Sequence, residues 1–329
     1  MMLVLIAPHE LGHFIVAKLV GVKVNEFAIG MGPLIWQRQK GETKYSLRLI
    51  PIGGYNAMEG EDQNSEDPRG FNNQPSLSRI AILFAGVTMN VLIALIICVI
   101  IVQISGLPVP RIASVDQSMP AAEAGIMVDD KIVAINGTKI NSWEKCTALI
   151  DSFDPEKQET MKITVEREGQ EIECSLVPQF DKQQKRYMVG IIADVTHNPV
   201  KCFARGAVVT WNLNKLMFQS FGMIINGEAS SKDVSGPVGL VKIVSETSKA
   251  GAEPYLLLLA LVSLNLALIN LLPIPGLDGG KILFVILKWI SRGRISDEME
   301  TKATLIGFTL LIMLTLFITA NDIRNLFNF

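Results

Sequence analysis

Charged residues, histidine and cysteine are all scarce in this sequence. Asp, Glu, Lys and Arg make up 19% of its 329 residues, whereas an ordinary soluble protein has about 25%. Hydrophobic residues account for 49% and are gathered in a few long runs, which predicts insertion into a membrane. The formal net charge of −2 gives no sign of the basic face that binds nucleic acid. We therefore expect a lipid bilayer, and no nucleic acid, as a partner.

The few cysteines decide little. No two of the four have CxxC spacing. Cys98 lies in an apolar run, where we expect it to face lipid or to pack inside the protein. The other three, Cys146, Cys174 and Cys202, allow one disulfide if their segment lies outside the cell, and their spacing leaves this open.

Long apolar stretches predict about four transmembrane helices. A helix needs roughly 20 residues to cross about 30 Å of hydrocarbon. The predicted spans are residues 1–22, 80–104, 253–280 and 303–320. The first lacks the basic start and the small-residue cleavage site of a signal peptide, so we interpret it as a span.

Basic residues indicate the orientation. Seven lysines and arginines lie in the connection 23–79 and five lie in 281–302. Short basic connections stay in the cytoplasm. Both termini and the long segment 105–250 are therefore predicted to be extracytoplasmic.

A soluble domain is predicted within that long segment. Strand-like runs at Lys131–Asn136 and Lys162–Arg167 end at glycine-containing turns, with a helix-compatible stretch, Trp143–Ser152, between them. Residues 109–179 are thus expected to form a small α+β domain, followed by a connector over 180–252. In that connector, Ala204–Ile225 has apolar residues at helical spacing. It fits either an amphipathic helix in the membrane interface or an ordinary packed helix.

The strongest chemical signal is an HExxH motif at residues 9–13. Residues i and i+4 of a helix share a face, so His9 and His13 can converge on one metal ion. Zinc is commonly bound by histidine nitrogens, and a catalytic zinc site keeps one position for a water molecule. The bound zinc lowers the pKa of that water to about 7. Glu10 is the candidate general base that takes the proton. Ionisable residues inside an apolar span are costly, which favours function over a chance match.

A third ligand is needed, and Asp278 is the candidate. It lies in NLLPIPGLDGG, where prolines and glycines must end the helix. Unwound backbone at membrane depth is tolerated only when protein buries it or it lines a wet cavity. The alternative is a loop in which Asp278 caps the next helix. The charge-based topology places both motifs toward the cytoplasmic half, which favours the ligand interpretation.

HELGH and NLLPIPGLDGG together resemble the site-2 protease family of intramembrane zinc metalloproteases, in its bacterial branch with a single PDZ domain. The likeness covers nearly the whole chain. It includes a membrane-associated β-hairpin region (Val24–Asp62), a GxxxN stretch (Phe84–Asn90), a PDZ core (Ser118–Gly137) and a segment before the third span (Ser235–Ile243). The resemblance implies a polytopic α-helical membrane protein of the bacterial inner membrane. It would have about four transmembrane helices, a membrane-associated β-hairpin and one inserted extracytoplasmic PDZ-like α+β domain.

The resemblance also implies roles for individual residues. His9, His13 and Asp278 would bind one Zn²⁺ and Glu10 would be the catalytic base. The residues implied to contact substrate are Asn270, Pro273, Pro275, Gly53, Gly54 and Tyr55. The last three would offer a strand edge to an extended substrate. For Asn270 the alternative is a hydrogen bond at a helix end.

The implied function is an endopeptidase that cuts transmembrane segments of single-pass proteins already shortened by an upstream protease. Anti-sigma factors and signal-peptide remnants are the expected substrates. The rivals are a non-enzymatic membrane adaptor with a PDZ-like domain and a metal transporter. An intact HExxH with a distant LDG argues against the adaptor. The absence of further acidic residues and histidines in spans 80–104 and 303–320 argues against the transporter.

Three features depart from the family pattern. Pro8 precedes His9 and removes a helical hydrogen bond, unless the regular helix begins there. Only eight residues precede His9, about 12 Å at helical rise, so we expect a truncated or misassigned start. Asp129-Asp130 replaces the usual Gly-Asp pair, which leaves peptide binding by the PDZ-like domain open.

Overall fold

The computed structural model describes residues 2–61, 65–228, 236–291 and 295–327. Residues 229–235 of the predicted connector and 292–294 of the predicted cytoplasmic connection lie outside the described residues, as do Asp62 and Ser235 at the ends of two family-like segments. The chain forms two compact units. One combines Met1–Ile101 with Gly206–Phe329, and the other is Val102–Arg205.

Helices dominate the first unit and strands the second. The helices of the described residues are α1 (Met2–Leu19), α2 (Ser76–Ser105), α3 (Pro120–Glu123), α4 (Trp143–Asp151), α5 (Pro199–Ile225), α6 (Pro237–Ala250), α7 (Ala252–Leu271), α8 (Asp278–Ile290) and α9 (Asp297–Phe327). The strands are β1 (Val24–Lys40), β2 (Thr43–Met58), β3 (Leu107–Val115), β4 (Lys131–Ile135), β5 (Thr138–Lys139), β6 (Met161–Arg167), β7 (Gln170–Leu176), β8 (Gln179–Asp181), β9 (Arg186–Met188) and β10 (Ile191–Thr196).

Three helices of the described residues are long and apolar enough to cross a membrane. They are α2, α7 and the stretch Glu298–Arg324 of α9. Helix α1 carries the HExxH motif and has Pro8 in its interior, so the helix begins before the proline and not at it. The count of four spans stays a prediction.

Glycines allow α1 and α2 to approach each other closely. A Cβ atom on Gly12 of α1 would lie 2.5 Å from the carbonyl oxygen of Ala85. A Cβ atom on Gly86 of α2 would lie 2.4 Å from Nε2 of His13. Real Cβ atoms do not approach neighbours this closely, because atomic overlap rises steeply at such distances. The two helices therefore pack backbone to backbone where the HExxH motif lies.

The predicted hairpin is formed by β1 and β2, which pair antiparallel. Its register is irregular. Residues 26–29 of β1 pair with residues 54–57 of β2 and also with residues 44–47, so they form an inner segment with a neighbour on each side. Segment 54–57 is an outer segment, and within the described chain it has a strand partner on one side only.

The proline- and glycine-rich segment interrupts the predicted third span. Helix α7 ends at Leu271, and Leu272 takes an extended conformation. Gly276 has φ +100°, which lies in the region that favours glycine. Helix α8 begins at Asp278 and continues to Ile290. The predicted span 253–280 is therefore a helix, a break and the start of a second helix, and α8 occupies much of the predicted connection 281–302.

The second unit is built on a six-stranded antiparallel sheet, beside which β8 and β9 form a separate pair. Its strand order is β10-β3-β4-β6-β7, with β5 paired to β4. Alternate strand residues, such as Ile132, Ile163 and Val165, are buried in the core. Helix α4 and strands β4 and β6 lie where the sequence predicts them. The predicted boundary at residue 179 is too early, because β10 pairs with β3 and closes the sheet.

The remaining predictions concern the cysteines and α5. All four cysteines are free and buried, so no disulfide forms among them. Val209, Leu213 and Met217 of α5 pack against a cluster of α2 and α7 residues. Trp211 is 72% exposed. This part of α5 therefore has one packed face and one exposed face, a pattern that fits both of the predicted alternatives.

Candidate active site

Helix α1 places His9 and His13 one turn apart, with Glu10 directly after His9. The rings of His9 and His13 lie 4.7 Å apart between centroids and are nearly perpendicular, at 89°. Both side chains are buried, with 8% and 6% exposure. The i, i+4 spacing thus brings two imidazoles together in a low-dielectric environment, where unpaired polar atoms are costly.

Asp278, the first residue of α8, completes a three-atom cluster. Its Oδ2 lies 3.2 Å from Nε2 of His9 and 3.4 Å from Nε2 of His13. The two Nε2 atoms are 3.2 Å apart. These three residues are the one group of potential metal ligands found among the described residues. The break between α7 and α8 directs the carboxylate toward α1.

The three atoms fit a zinc ion. Zinc bonds of about 2.0–2.1 Å in tetrahedral geometry separate ligand atoms by about 3.3–3.4 Å, close to the distances in this cluster. Two nitrogen lone pairs and a carboxylate oxygen repel one another unless a cation lies among them. Within the described chain, Oδ2 of Asp278 accepts no well-formed hydrogen bond. This favours the ligand interpretation of Asp278 over the capping alternative.

Neighbours on α2 hold both histidine rings from behind. Nδ1 of His13 donates to the carbonyl oxygen of Ile82 over 2.8 Å. Nδ1 of His9 faces the side-chain amide of Asn90 at 3.3 Å. Gly86 lies between them, where any side chain would overlap the His13 ring. Metal-binding histidines almost always have such a partner for the second ring nitrogen.

Glu10 is held by the hairpin. The side-chain amide of Asn56 donates to the Glu10 carboxylate Oε2 over 2.8 Å and to its backbone carbonyl over 2.7 Å. A Cβ atom on Gly54 would lie 3.2 Å from Cγ of Glu10. Strand β2 therefore lies directly against the carboxylate and limits the positions it can take.

A polar cavity of about 260 Å³ joins these residues. Its lining residues are His9, Glu10, His13, Tyr55, Asn56, Met58, Glu61, Leu83, Asp278 and Lys281. Lys281 donates to Glu61 over 2.6 Å within it. The cavity therefore joins Glu10, the three clustered side chains and residues of strand β2 in one polar space.

Comparison with known proteins identifies the family. The profile of peptidase family M50 matches residues 1–314. The chain belongs to peptidase family M50. A Clostridium acetobutylicum protein, named provisionally as a zinc metalloprotease, is 37% identical over 99% of this chain and 96% of its own length. The Regulator of sigma-W protease RasP of Bacillus subtilis is 28% identical over 97% of this chain and 95% of its own length. Zinc metalloprotease RasP of Oceanobacillus iheyensis is 28% identical over 98% of this chain and 97% of its own length.

Membership of family M50 confirms the resemblance to the site-2 proteases. The protein is a zinc metalloendopeptidase of this type in the bacterial inner membrane, and its substrates are membrane proteins. Neither the adaptor nor the metal-transporter alternative agrees with this result. The roles of individual residues remain predictions.

The residues implied to contact substrate lie at different distances from the cluster of His9, His13 and Asp278. Nδ2 of Asn270, in the last turn of α7, lies 3.4 Å from Nε2 of His9, so Asn270 faces the cluster. Tyr55 lines the cavity. Gly53, with φ +84°, packs against Met31. Pro273 and Pro275 form the α7–α8 break and are not among the residues that line the cavity.

Sequence reasoning did not assign roles to three residues of this site. Asn56 holds Glu10, Asn90 faces His9, and Gly86 makes room for the His13 ring. Asn90 and Gly86 belong to the GxxxN stretch, which was the signal available. Nothing in the sequence around Asn56 indicates its contact with Glu10, because the two are 46 residues apart.

Proposed function

We propose that this M50 protease hydrolyses peptide bonds in the transmembrane segments of single-pass membrane proteins already shortened by an upstream protease. His9, His13 and Asp278 would hold one Zn²⁺, and Glu10 would act as the general base. The observation that carries the proposal is the triangle of two Nε2 atoms and Oδ2, with sides of 3.2–3.4 Å, beside Glu10 in a polar cavity.

Zinc, when bound, supplies a Lewis acid that polarises a carbonyl group and makes water more acidic. Glu10 takes the proton from the attacking water and returns it to the nitrogen of the leaving amine. Asn56 keeps the Glu10 carboxylate directed at the cluster. Asn270, with its amide N–H groups near His9, is placed to donate to the scissile carbonyl oxygen as negative charge develops there.

The edge of β2 provides a means of extending the substrate. A transmembrane helix hides its peptide bonds within its own hydrogen-bond ladder, so it must unwind before attack. Residues 54–57 have an outer edge beside Glu10, and an extended peptide can pair with such an edge. Gly54 and Tyr55 lie on this edge and Gly53 directly precedes it, so these three residues are assigned to substrate pairing. Pro273 and Pro275 are assigned to keeping the chain between α7 and α8 out of a helix, which leaves Asp278 free to face the histidines.

An anti-sigma factor is the first substrate class to test. The name of the Bacillus subtilis relative describes that protein as a regulator of sigma-W, which supports a regulatory membrane protein as substrate here. Signal-peptide remnants are the second class. The charge pattern supports an extracytoplasmic location for both termini and the inserted domain.

The deciding experiment compares wild type with Glu10→Gln in detergent, with and without a chelator, on a tagged single-pass reporter. We expect cleavage by wild type alone, its loss with chelator, and about one zinc per chain in both proteins. Cleavage by Glu10→Gln would remove Glu10 from the base role. A folded wild type that binds no metal would refute the assigned zinc ligands.

A further inference from the structure

His9 and His13 present the same ring nitrogen to the cluster. Both direct Nε2 toward Asp278, so each Nδ1 faces the protein. A neutral imidazole that binds metal through Nε2 carries its single proton on Nδ1. That buried N–H needs an acceptor, because an unpaired buried donor is costly.

For His13 the acceptor is unambiguous. Its Nδ1 lies 2.8 Å from the backbone carbonyl oxygen of Ile82, and a carbonyl oxygen can only accept. The hydrogen bond therefore fixes the proton on Nδ1 and leaves the Nε2 lone pair free. The same tautomer is required of His9 if both rings bind one metal ion.

The corresponding neighbour of His9 is the amide of Asn90, which is 1% exposed. As placed, Nδ2 lies 3.3 Å from Nδ1 of His9, so two N–H groups would face each other in the metal-binding tautomer. Oδ1 of Asn90 has no hydrogen-bond partner within the described chain. The two ends of an amide have nearly the same shape, and a half-turn exchanges them. After that rotation, Oδ1 accepts from Nδ1–H.

We propose that Asn90 is a positioning residue that offers Oδ1 to the Nδ1–H of His9 and so selects the tautomer in which Nε2 binds metal. The inference rests on the proposed function, since it takes the cluster to hold zinc. The backbone of Asn90 is itself held, because the Ser263 hydroxyl on α7 donates to its carbonyl oxygen over 2.8 Å.

Two substitutions of nearly equal size separate the alternatives. Asn90→Leu removes the acceptor, and we expect the zinc affinity of the purified full chain to fall about 10- to 100-fold. Asn90→Asp keeps the shape and offers only acceptors. We expect this variant to bind zinc at least as tightly as wild type, because a carboxylate accepts from Nδ1–H more strongly than an amide does. Affinity would be measured in detergent by competition with a chromophoric chelator.

Thr88→Val is the matched control. Thr88 lies on the same helix, is exposed, and donates only to the carbonyl oxygen of Phe84. The Thr88→Val protein should therefore bind zinc as tightly as wild type. Wild-type affinity in Asn90→Leu would overturn the proposal. Weak binding by Asn90→Asp would also overturn it, since the amide N–H would then be the group required. If Asn90→Leu does not fold, Asn90→Asp decides alone.

The readout is metal affinity, so it is independent of cleavage. A wild type that binds zinc without cutting any single-pass reporter would count against the proposed function and leave the role of Asn90 to be decided by its own variants. The absorption spectrum of the cobalt-loaded protein offers a second readout, because a change in the His9 ligand field alters the visible bands.

Discussion

At the scale of single residues, glycine is as important to this site as the polar residues. The cluster lies where α1 and α2 pack backbone to backbone, and the His13 ring fills the space above Gly86. A metal site needs its ligands within about 0.5 Å of their proper positions. The absence of a side chain at Gly86 is therefore a condition for the cluster to form.

Gly86→Ala should weaken both zinc binding and proteolysis. The new Cβ would lie 2.4 Å from Nε2 of His13, so the ring or the helix must move by about 1 Å, and such misplacement costs about 100-fold in rate. Zinc content and reporter cleavage would be measured together. Gly222→Ala on α5 is the control, because its Cβ would meet nothing within 4 Å. Equal activity in both variants would show that α2 can shift without disturbing the site.

The contact between Asn56 and Glu10 carries the second prediction. Asn56→Asp keeps the shape but directs a carboxylate at the Glu10 carboxylate and carbonyl oxygen, so we expect kcat to fall roughly 10- to 100-fold with zinc content unchanged. Asn25→Asp is the control, since Asn25 donates to Glu59 over 2.9 Å elsewhere in the same sheet. Wild-type kcat in Asn56→Asp would show that Glu10 needs no donor from β2.

At the scale of secondary structure, the break between α7 and α8 and the sheet of the inserted domain show two ways of holding a buried carboxylate. Asp278 faces two imidazoles and accepts no well-formed hydrogen bond at Oδ2 within the described chain. Asp130, 1% exposed, accepts two hydrogen bonds of 2.7 Å from Arg167 and one of 2.8 Å from the Met127 amide. The first arrangement suits a metal ligand and the second suits a structural ion pair.

The ion pair predicts how the inserted domain responds to acid. Burial raises the pKa of Asp130. The hydrogen bonds from Arg167 and the Met127 amide, together with the positive charge of Arg167, lower it by more than burial raises it, so the pKa lies below its ordinary value. A lowered pKa means that this stabilisation is present above the unfolded value of about 3.9 and is lost as pH falls through the folded value. Hydrogen exchange in β4 and β6, corrected for intrinsic rates, should show weaker protection below about pH 4.

Asp130→Asn tests the assignment. This variant should lose about 2 kcal/mol of local stability near neutral pH, and its exchange should depend less on acid. The exposed pair Lys162–Glu173 provides the control, since Glu173→Gln should change protection very little. An acid response that persists in Asp130→Asn would place the titrating group elsewhere.

At the scale of the whole molecule, the inserted domain begins and ends at paired residues. Leu107 at the start of β3 is paired with Thr196 at the end of β10, so residues 107–196 can be replaced by a short Gly/Ser linker with little displacement of the flanking chain. We expect this domain to exclude substrates with large ectodomains, and the replacement tests that expectation.

We expect the excised protein to cut an unshortened single-pass reporter that wild type leaves intact, because the barrier to bulky ectodomains is gone. Cleavage of the shortened reporter and zinc content should not change. The same excision combined with Glu10→Gln should cut neither reporter. If the unshortened reporter remains intact after excision, the domain does not select substrates by size.

The sequence by itself determined the local elements and the chemistry of the centre. Helical spacing in HELGH, the prolines and glycines around LDG, and the turns that bound β4, α4 and β6 are all short-range patterns. Backbone sterics and side-chain periodicity act over a few residues, so these patterns predict local structure without knowledge of the tertiary structure. Even the Gly-to-Asp departure at Asp129 has a local physical meaning, since Asp129 takes φ +71°, a conformation that glycine adopts more easily.

Only the tertiary structure decided which distant residues support that centre. Asn56 reaches Glu10 across 46 residues and Asn90 reaches His9 across 81, while β10 joins β3 to extend the domain beyond residue 179. Contacts of this kind depend on how helices and strands pack, and a short polar residue has the same local pattern whether it faces water or a ligand. The physical reason is that hydrogen bonds and steric fit depend on distance in space, which separation along the chain does not specify.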